Sequence, residues 1–235
     1  MYLLVDWDNL ADRDRLSGAR YIAEKAWDAL RRVAPAVAAA TSRLDVRYYG
    51  GWRGWNGVSN PTPTATSLSG EIQAQFPFVL RNPNVTISGA LAESLLCRPR
   101  QVLPHTLRHR EEPPRMTCHR PAAVGCSIVS CSLSTLPDFF ANRQCPEPTC
   151  GRPIQDFMTR VEQKLVDTML VADLIHLAVG GESALGVVSS DDDLWPGLIA
   201  AIDRGTQVVH LRTKHRTSHN LYLSPNSSGY QHGAI

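Results

Sequence analysis

Two short apolar runs, each broken off by carboxylates, constrain this chain more than any other feature. Leu3, Leu4 and Val5 lead into Asp6, Trp7, Asp8 and Asn9; Leu185 to Val188 lead through two serines into Asp191, Asp192 and Asp193. Runs of this length read as buried parallel strands, apolar on both faces because helices cover both. In an open α/β sheet, ligands bind beyond the carboxyl ends of the strands. If the two strands are neighbours, Asp6, Asp8, Asp191 and Asp193 converge there from opposite ends of the sequence. Carboxylates held together repel, and a bound cation is the usual means of keeping them ionised. Oxygen ligands without a nearby His or Cys suit Mg²⁺ or Mn²⁺. The expectation is a metal-dependent enzyme acting on phosphate esters.

The rest of the pattern supports such a sheet. Tyr2–Asp6 reads as a strand, and 17–33 as a helix with Ser17 as N-cap and Tyr21, Ile22, Trp27 and Leu30 inward. Pro35 interrupts that helix. Arg43–Tyr49 alternates apolar and polar residues as a strand does, 50–57 and the following Pro/Thr/Ser stretch read as a long loop, and 84–88 as a third strand. Later, 161–179 reads as a helix, 184–189 as the acid-bearing strand, 194–204 as a helix stopped by Gly205, and 206–211 as a last strand. Strand and helix alternate at both ends, so the expected fold is α/β, a three-layer α/β/α arrangement around a central parallel sheet. The middle breaks the pattern: 97–153 holds all six cysteines and, before residue 150, eight prolines. Such a stretch inside a compact domain is functional, disordered or tied down by something else. The chain therefore divides into 1–96 and 154–235, two parts of one domain, around a Cys-rich insertion at 97–153.

Composition limits the alternatives. At 43% hydrophobic residues the chain has enough for a core, and a net charge of +2 is too small to argue for nucleic acid without local patches. No apolar run approaches the length of a membrane span. The first residues lack a basic region and a cleavage site, so no signal peptide is expected and a cytoplasmic, reducing setting is. In that setting metal binding gains weight over disulfides for the cysteines.

The acidic motifs carry a resemblance. Leu4 to Leu10, with Asp6 and Asn9, is similar to the opening strand of the NYN family of PIN-like nuclease domains. Lys164 with Asp167, opening a long apolar helix, resembles that family's Lys-x-x-Asp element; Ser189, Asp191, Asp193 and Leu194 resemble its Ser-x-Asp-x-Asp-Phe/Leu element. Arg204, Gly205 and Val208–Val209 resemble its closing strand. The resemblance covers 1–49 and 154–211 and leaves the insertion outside it. It implies a PIN-like fold and a catalytic set of Asp6, Asp167, Asp191 and Asp193, with Asn9 beside them. Mg²⁺ or Mn²⁺ would be held chiefly by Asp6 and Asp191, with Asp193 also a ligand. The substrate it implies is RNA, single-stranded rather than paired, cut endonucleolytically, and a homodimer is open because such domains often pair. The chemistry agrees: phosphodiester hydrolysis needs an activated water and relief of charge on the phosphoryl oxygens, and divalent ions supply both.

Asp8 and Asp192 are extra acids, expected to serve a second cation or to sit in solvent. Asp173, roughly 120° around the helix from Asp167, is expected to be structural or at the surface. Two alternatives use the same residues. Val5 to Asp8 also resembles the first motif of haloacid dehalogenase-type phosphatases, with Asp6 as nucleophile, although Leu10 departs from that pattern. A non-catalytic RNA-binding regulator is the other.

In the insertion, Cys126 and Cys131, then Cys145 and Cys150, form two pairs with four residues inside each. They suit a structural Zn²⁺, with buried free thiols and a disulfide as alternatives. Arg98, Arg100 and four further arginines up to Arg120, and later Arg212, Lys214 and Arg216, form basic clusters able to neutralise phosphates. Lys164 is expected to meet a substrate phosphate, with pairing to Asp167 or a solvated helix-face charge as alternatives. Tyr48, Tyr49, Trp52, Arg53 and Trp55 fit either a base-stacking platform or a self-anchored loop. His176 is expected to be a satisfied core residue.

Overall fold

The structure is a computed structural model. It describes residues 1–55, 59–81, 84–110, 118–125, 127, 131–158, 160–163, 165–214 and 228–235, with 55, 108–110, 160 and 161 by backbone alone. The described strands are β1 (Tyr2–Asp6), β2 (Arg43–Tyr49), β3 (Arg53–Trp55), β4 (Ser59–Pro61), β5 (Phe78–Leu80), β6 (Val85–Leu91), β7 (Leu107–Arg110), β8 (Arg160–Gln163), β9 (Ala184–Val188), β10 (Gln207–Arg212) and β11 (Tyr230–Ala234). The helices are α1 (Asp12–Leu16), α2 (Gly18–Val33), α3 (Pro35–Ala39), α4 (Pro63–Gln75), α5 (Leu136–Asn142), α6 (Val166–Val179) and α7 (Trp195–Asp203). The chain divides into two compact units, Met1–Leu107 with Gln163–Ile235, and Arg108–Glu162. The inserted unit thus begins and ends about ten residues later than the composition break at 97–153.

The larger unit is built on a seven-stranded sheet in the order β11-β10-β9-β1-β2-β6-β5. All neighbours are parallel except β5, which runs antiparallel to β6. Alternation along β1 sends Leu3 and Val5 into one core and Leu4 into another, which is why the strand is apolar throughout. The first core takes Ile22, Trp27 and Leu30 of α2 and Leu68 of α4; the second takes Met169, Leu170 and Leu174 of α6 and Leu198 of α7. Helices therefore cover both faces. Among the described residues, no helix is long and apolar enough to cross a membrane.

Several expectations need correction. The expected loop after residue 57 contains the hairpin strand β4 and then α4, because Pro63 suits a helix's first turn and Thr62 caps it, accepting the Ala65 N–H at 3.2 Å. The helix expected over 161–179 starts only at Val166; β8 precedes it and pairs with β7. Leu165, with φ of 69°, separates the two. Ser17 does not cap α2 with its side chain: its hydroxyl donates to Arg13 O at 3.0 Å, and Glu71 of α4 instead accepts the Arg20 N–H at 3.2 Å. Tyr21 is 42% exposed rather than buried, whereas Ile22, Trp27 and Leu30 are buried as expected. The sequence reading stopped at β10, but β11 adds one more parallel strand beside it.

The inserted unit is sparse in regular structure. Its described part holds one short α-helix, α5, beside two 3-10 turns; Phe139 of α5 packs edge-on to Phe140 and to Phe157, at ring-centroid distances of 6.1 and 5.8 Å. Cys118, Cys131, Cys145 and Cys150 are free thiols, as is Cys97 in the larger unit. Cys126 lies outside the described residues.

Candidate functional site

Chain direction places the acids. β1 and β9 lie side by side in parallel, with Val5 opposite Val188, so Asp6 and the Ser189-to-Asp193 segment leave the sheet at the same edge. The chain after β1 places α2 on one face, while α6 and α7 lie on the other. The crevice at such a switch is where open α/β sheets bind ligands.

One hydroxyl ties the two strand ends together. Ser189 Oγ donates to Asp6 Oδ2 at 2.8 Å and accepts the Asp191 N–H at 3.0 Å. Asp191 in turn accepts the Asp193 N–H at 3.0 Å, which fixes the tight turn 192–194. Asn9 Oδ1 accepts the Ser190 N–H at 3.0 Å and the Thr213 hydroxyl, and Lys214 N–H donates to Ser190 Oγ at 2.8 Å. The ends of β1, β9 and β10 are thus laced together by small polar side chains. Beneath them His210, 2% exposed, is held neutral: burial lowers its pKa to about 4. Since the Ser189 carbonyl can only accept, His210 Nε2 donates to it at 3.0 Å, and Nδ1 accepts the Tyr230 hydroxyl at 2.9 Å.

The electrostatics are those of a crowded acidic site. Burial pushes the Asp6 carboxyl up to about 7; the Ser189 hydroxyl opposes this, and the charges of Asp167 and Asp8 add to it. Asp167, in the first turn of α6, is also raised, by burial first and then by Asp191, Asp193 and Asp8. Asp8 is raised by burial against the pull of the Gly51 N–H and Arg15, at 2.9 and 3.6 Å. All four sequence-assigned acids therefore share one electrostatic neighbourhood, and Asn9 adjoins it. Asp8 belongs there too, which the sequence reading left open. The nearby Gly50-Gly51 pair was the available signal, because a side-chain-free turn lets a backbone N–H approach the acid.

Other expected residues are distributed differently. Lys214 stands exposed at the acidic rim, and Arg212, before it, meets His232 Nδ1 at 3.0 Å. Arg98 and Arg100 are exposed beyond β6, which lies two strands, about 10 Å, from β1. Lys164, Arg216 and Cys126 fall outside the described residues. Tyr48, Tyr49 and Trp52 are not a stacking platform: each is at most 1% exposed. Tyr48 donates to Ala19 O, Trp52 to Tyr48 O, and Arg53 pairs with Glu93. Tyr48 and Tyr49 end a central strand with a core on each face, and Trp52 just beyond it anchors the following loop back onto Tyr48, as the self-anchored alternative expects. His176 is exposed rather than in the core, on the outer side of α6. Asp173 is indeed structural, 0% exposed and bound to Arg47, Tyr49 and Leu96.

Among the described residues, no three of His, Cys, Asp and Glu stand close enough to share one metal ion. Mg²⁺ asks for fewer protein ligands than that, since it keeps several waters and is bound through one or two carboxylates plus substrate phosphates. Comparison with known proteins finds no protein family, no curated protein and no solved structure that matches this chain.

Proposed function

We propose that this chain is a metal-dependent nuclease with a PIN-like three-layer arrangement, an endoribonuclease acting on single-stranded RNA. The observation that carries the reading is the Ser189 bridge, which sets Asp6 and the Asp191 turn side by side across two parallel strands. Acids so fixed and so poorly neutralised suit Mg²⁺ or Mn²⁺, with Asp6 and Asp191 as ligands and Asp193 and Asp167 acting through bound water. When bound, such an ion supplies an activated water and charge relief on the phosphoryl oxygens.

The chain's own groups do the positioning. Ser189 holds one Asp6 oxygen, and the backbone N–H of Asn9 supports the same carboxyl. Asn9 and Thr213 fix the Ser190 turn, and with it the direction of Asp191. Asp167, with its proton affinity raised, is suited to orienting or accepting a proton from an attacking water. Lys214 offers a cation to the substrate backbone. RNA rather than DNA rests on the family resemblance.

The phosphatase alternative is less well supported. A phosphorylated nucleophile must present a free oxygen to the substrate, yet Asp6 is 3% exposed and tied to Ser189. The partner acid of that mechanism, Asp8, is occupied by Gly51 and Arg15.

The test is cleavage of matched single-stranded RNA and DNA by metal-stripped protein, restored with Mg²⁺ or Mn²⁺, beside Asp191→Asn. Metal-dependent cutting of RNA that the variant loses by at least about 100-fold, as removal of one catalytic group does, is the expected outcome. Folded, metal-replete protein that cuts neither polymer would overturn the reading in favour of a binding role.

A further inference from the structure

Beside the acids runs an apolar groove of about 820 Å³ between α6 and α7. Its walls are Val171, Ala172 and Ile175 of α6 facing Pro196 and Ile199 of α7, with Trp195 at its floor. The α6 residues follow from spacing: 168, 171, 172 and 175 recur at three and four and form one stripe. Asp167 and Asp193 close one end of the groove. Val171 lies one helical turn, about 6 Å, along α6 from Asp167, a span like that from a phosphate across its sugar to the base. One more observation points to a ligand. Gln163 lines the groove, and its Nε2 is buried without a hydrogen-bond partner among the described residues. A buried amide donor left unmatched is costly, and rotation of the amide would bring it to a carbonyl or ring nitrogen on an entering group.

We infer that this groove is the subsite for one unpaired nucleobase, the base next to the phosphate held at the acidic edge. The inference rests on the nuclease reading and deepens it by stating what part of the substrate is recognised. A nucleobase has the required mixture: flat apolar faces for Val171, Ala172 and Ile175, and acceptors on its edge for Gln163. A second copy of the chain fits less well. A stable interface buries about 800 Å² on each partner, and of the groove's large apolar side chains Leu165 alone is more than a third exposed, at 43%. A base stacked in a duplex cannot enter, so the groove selects single strands by shape.

The experiment has two arms. In the first, a short RNA with one cleavage site is compared with the same strand made abasic beside that site, and with the strand in a duplex. The abasic and duplex forms should lose about 5- to 100-fold in kcat/KM, the range one base contact supplies. Gln163→Ala should raise KM for the intact strand about 3- to 10-fold, as loss of one neutral hydrogen bond does, and leave the abasic strand unaffected. Ala172→Trp should fill the groove and reproduce the abasic defect.

The second arm reads binding without cleavage. In Mg²⁺, a nucleoside 5′-monophosphate should shift the amide resonances of Thr168, Val171, Ala172 and Ile175, and ribose 5-phosphate should not. Equal cutting of intact and abasic strands, with the α6 resonances unmoved, would overturn the subsite and leave the nuclease standing. Base-dependent shifts in a protein that cuts nothing would support the subsite and overturn the nuclease. A dimer that Ala172→Trp dissociates would overturn the subsite in favour of a second copy.

Discussion

Two acids of this protein are withdrawn almost completely from water, and they are treated in opposite ways. Asp173 is 0% exposed and receives three donors: Arg47 Nε at 3.1 Å, the Tyr49 hydroxyl at 2.7 Å and the Leu96 N–H at 2.7 Å. Asp6 is 3% exposed, has the Ser189 hydroxyl at 2.8 Å as its side-chain donor, and faces the charges of Asp167 and Asp8. A structural carboxylate is buried with its cation and its donors, because an unpaired buried charge is destabilising. An acid buried among acids keeps its proton unless a cation offsets its charge. The difference separates a brace that fixes the segment after β6 from a site at the end of β1.

The largest expected effect breaks the brace. Asp173→Ala leaves the Arg47 side chain, 13% exposed, without its partner and strands the Tyr49 hydroxyl. Stability should fall by about 3–5 kcal/mol, read as a lower midpoint in urea unfolding.

Asp6 should respond with the opposite sign. Its folded value, about 7, lies above the ordinary 3.8, so the native state keeps a proton that the unfolded chain releases. Stability of metal-free protein should therefore fall as pH rises from about 4 to 7, by up to about 4 kcal/mol. Asp6→Asn should remove that slope and stabilise metal-free protein at pH 8, where Mg²⁺ should stabilise the wild type and not the variant. A variant less stable than wild type at pH 8 would place Asp6 with the structural acids and erase the contrast.

His210 supplies an independent slope of the other sense. Its folded value, about 4, lies below 6.5, so only the unfolded chain takes a proton between these limits. Stability should drop by about 3 kcal/mol as pH falls through that window. In His210→Gln that acid-side loss should be absent from a pH series of melting curves.

The smallest effect sharpens the comparison most finely. Ser189→Ala should cost about 1–2 kcal/mol and, by removing the hydroxyl that opposes burial, raise Asp6 further above 7. Carbon-detected titration of the Asp6 carboxyl measures the shift. An unchanged titration would mean that the bridge does not govern the acid.

Much of the sheet was legible because β1 and β9 are apolar on both faces, a pattern that only double coverage by helices explains. The acids were legible for a related reason, since an abrupt change from apolar run to carboxylates marks a strand's end. Asp167 was less visible from local pattern alone; it stands where α6 begins, and the helix start was obscured by β8 running into it. The α4 helix was hidden because its content is Thr, Ser and Gln, with only a cap and a proline to announce it. Tyr48, Tyr49 and Trp52 look like a binding surface in sequence, since an aromatic side chain has the same composition whether it faces solvent or core.

By itself the sequence determined the α/β alternation, the central apolar strands, and which acids end them, because periodicity and strand-end chemistry are local. Tertiary structure alone decided that Gly51 and Arg15 hold Asp8, that Arg47 and Tyr49 brace Asp173, and that Gln163 lines a groove. It also decided that β11 extends the sheet and that Ser189 joins two acids across it. Those outcomes depend on which distant segments become neighbours, and burial, donors and opposing charges are set by neighbours rather than by the residue that carries the acid.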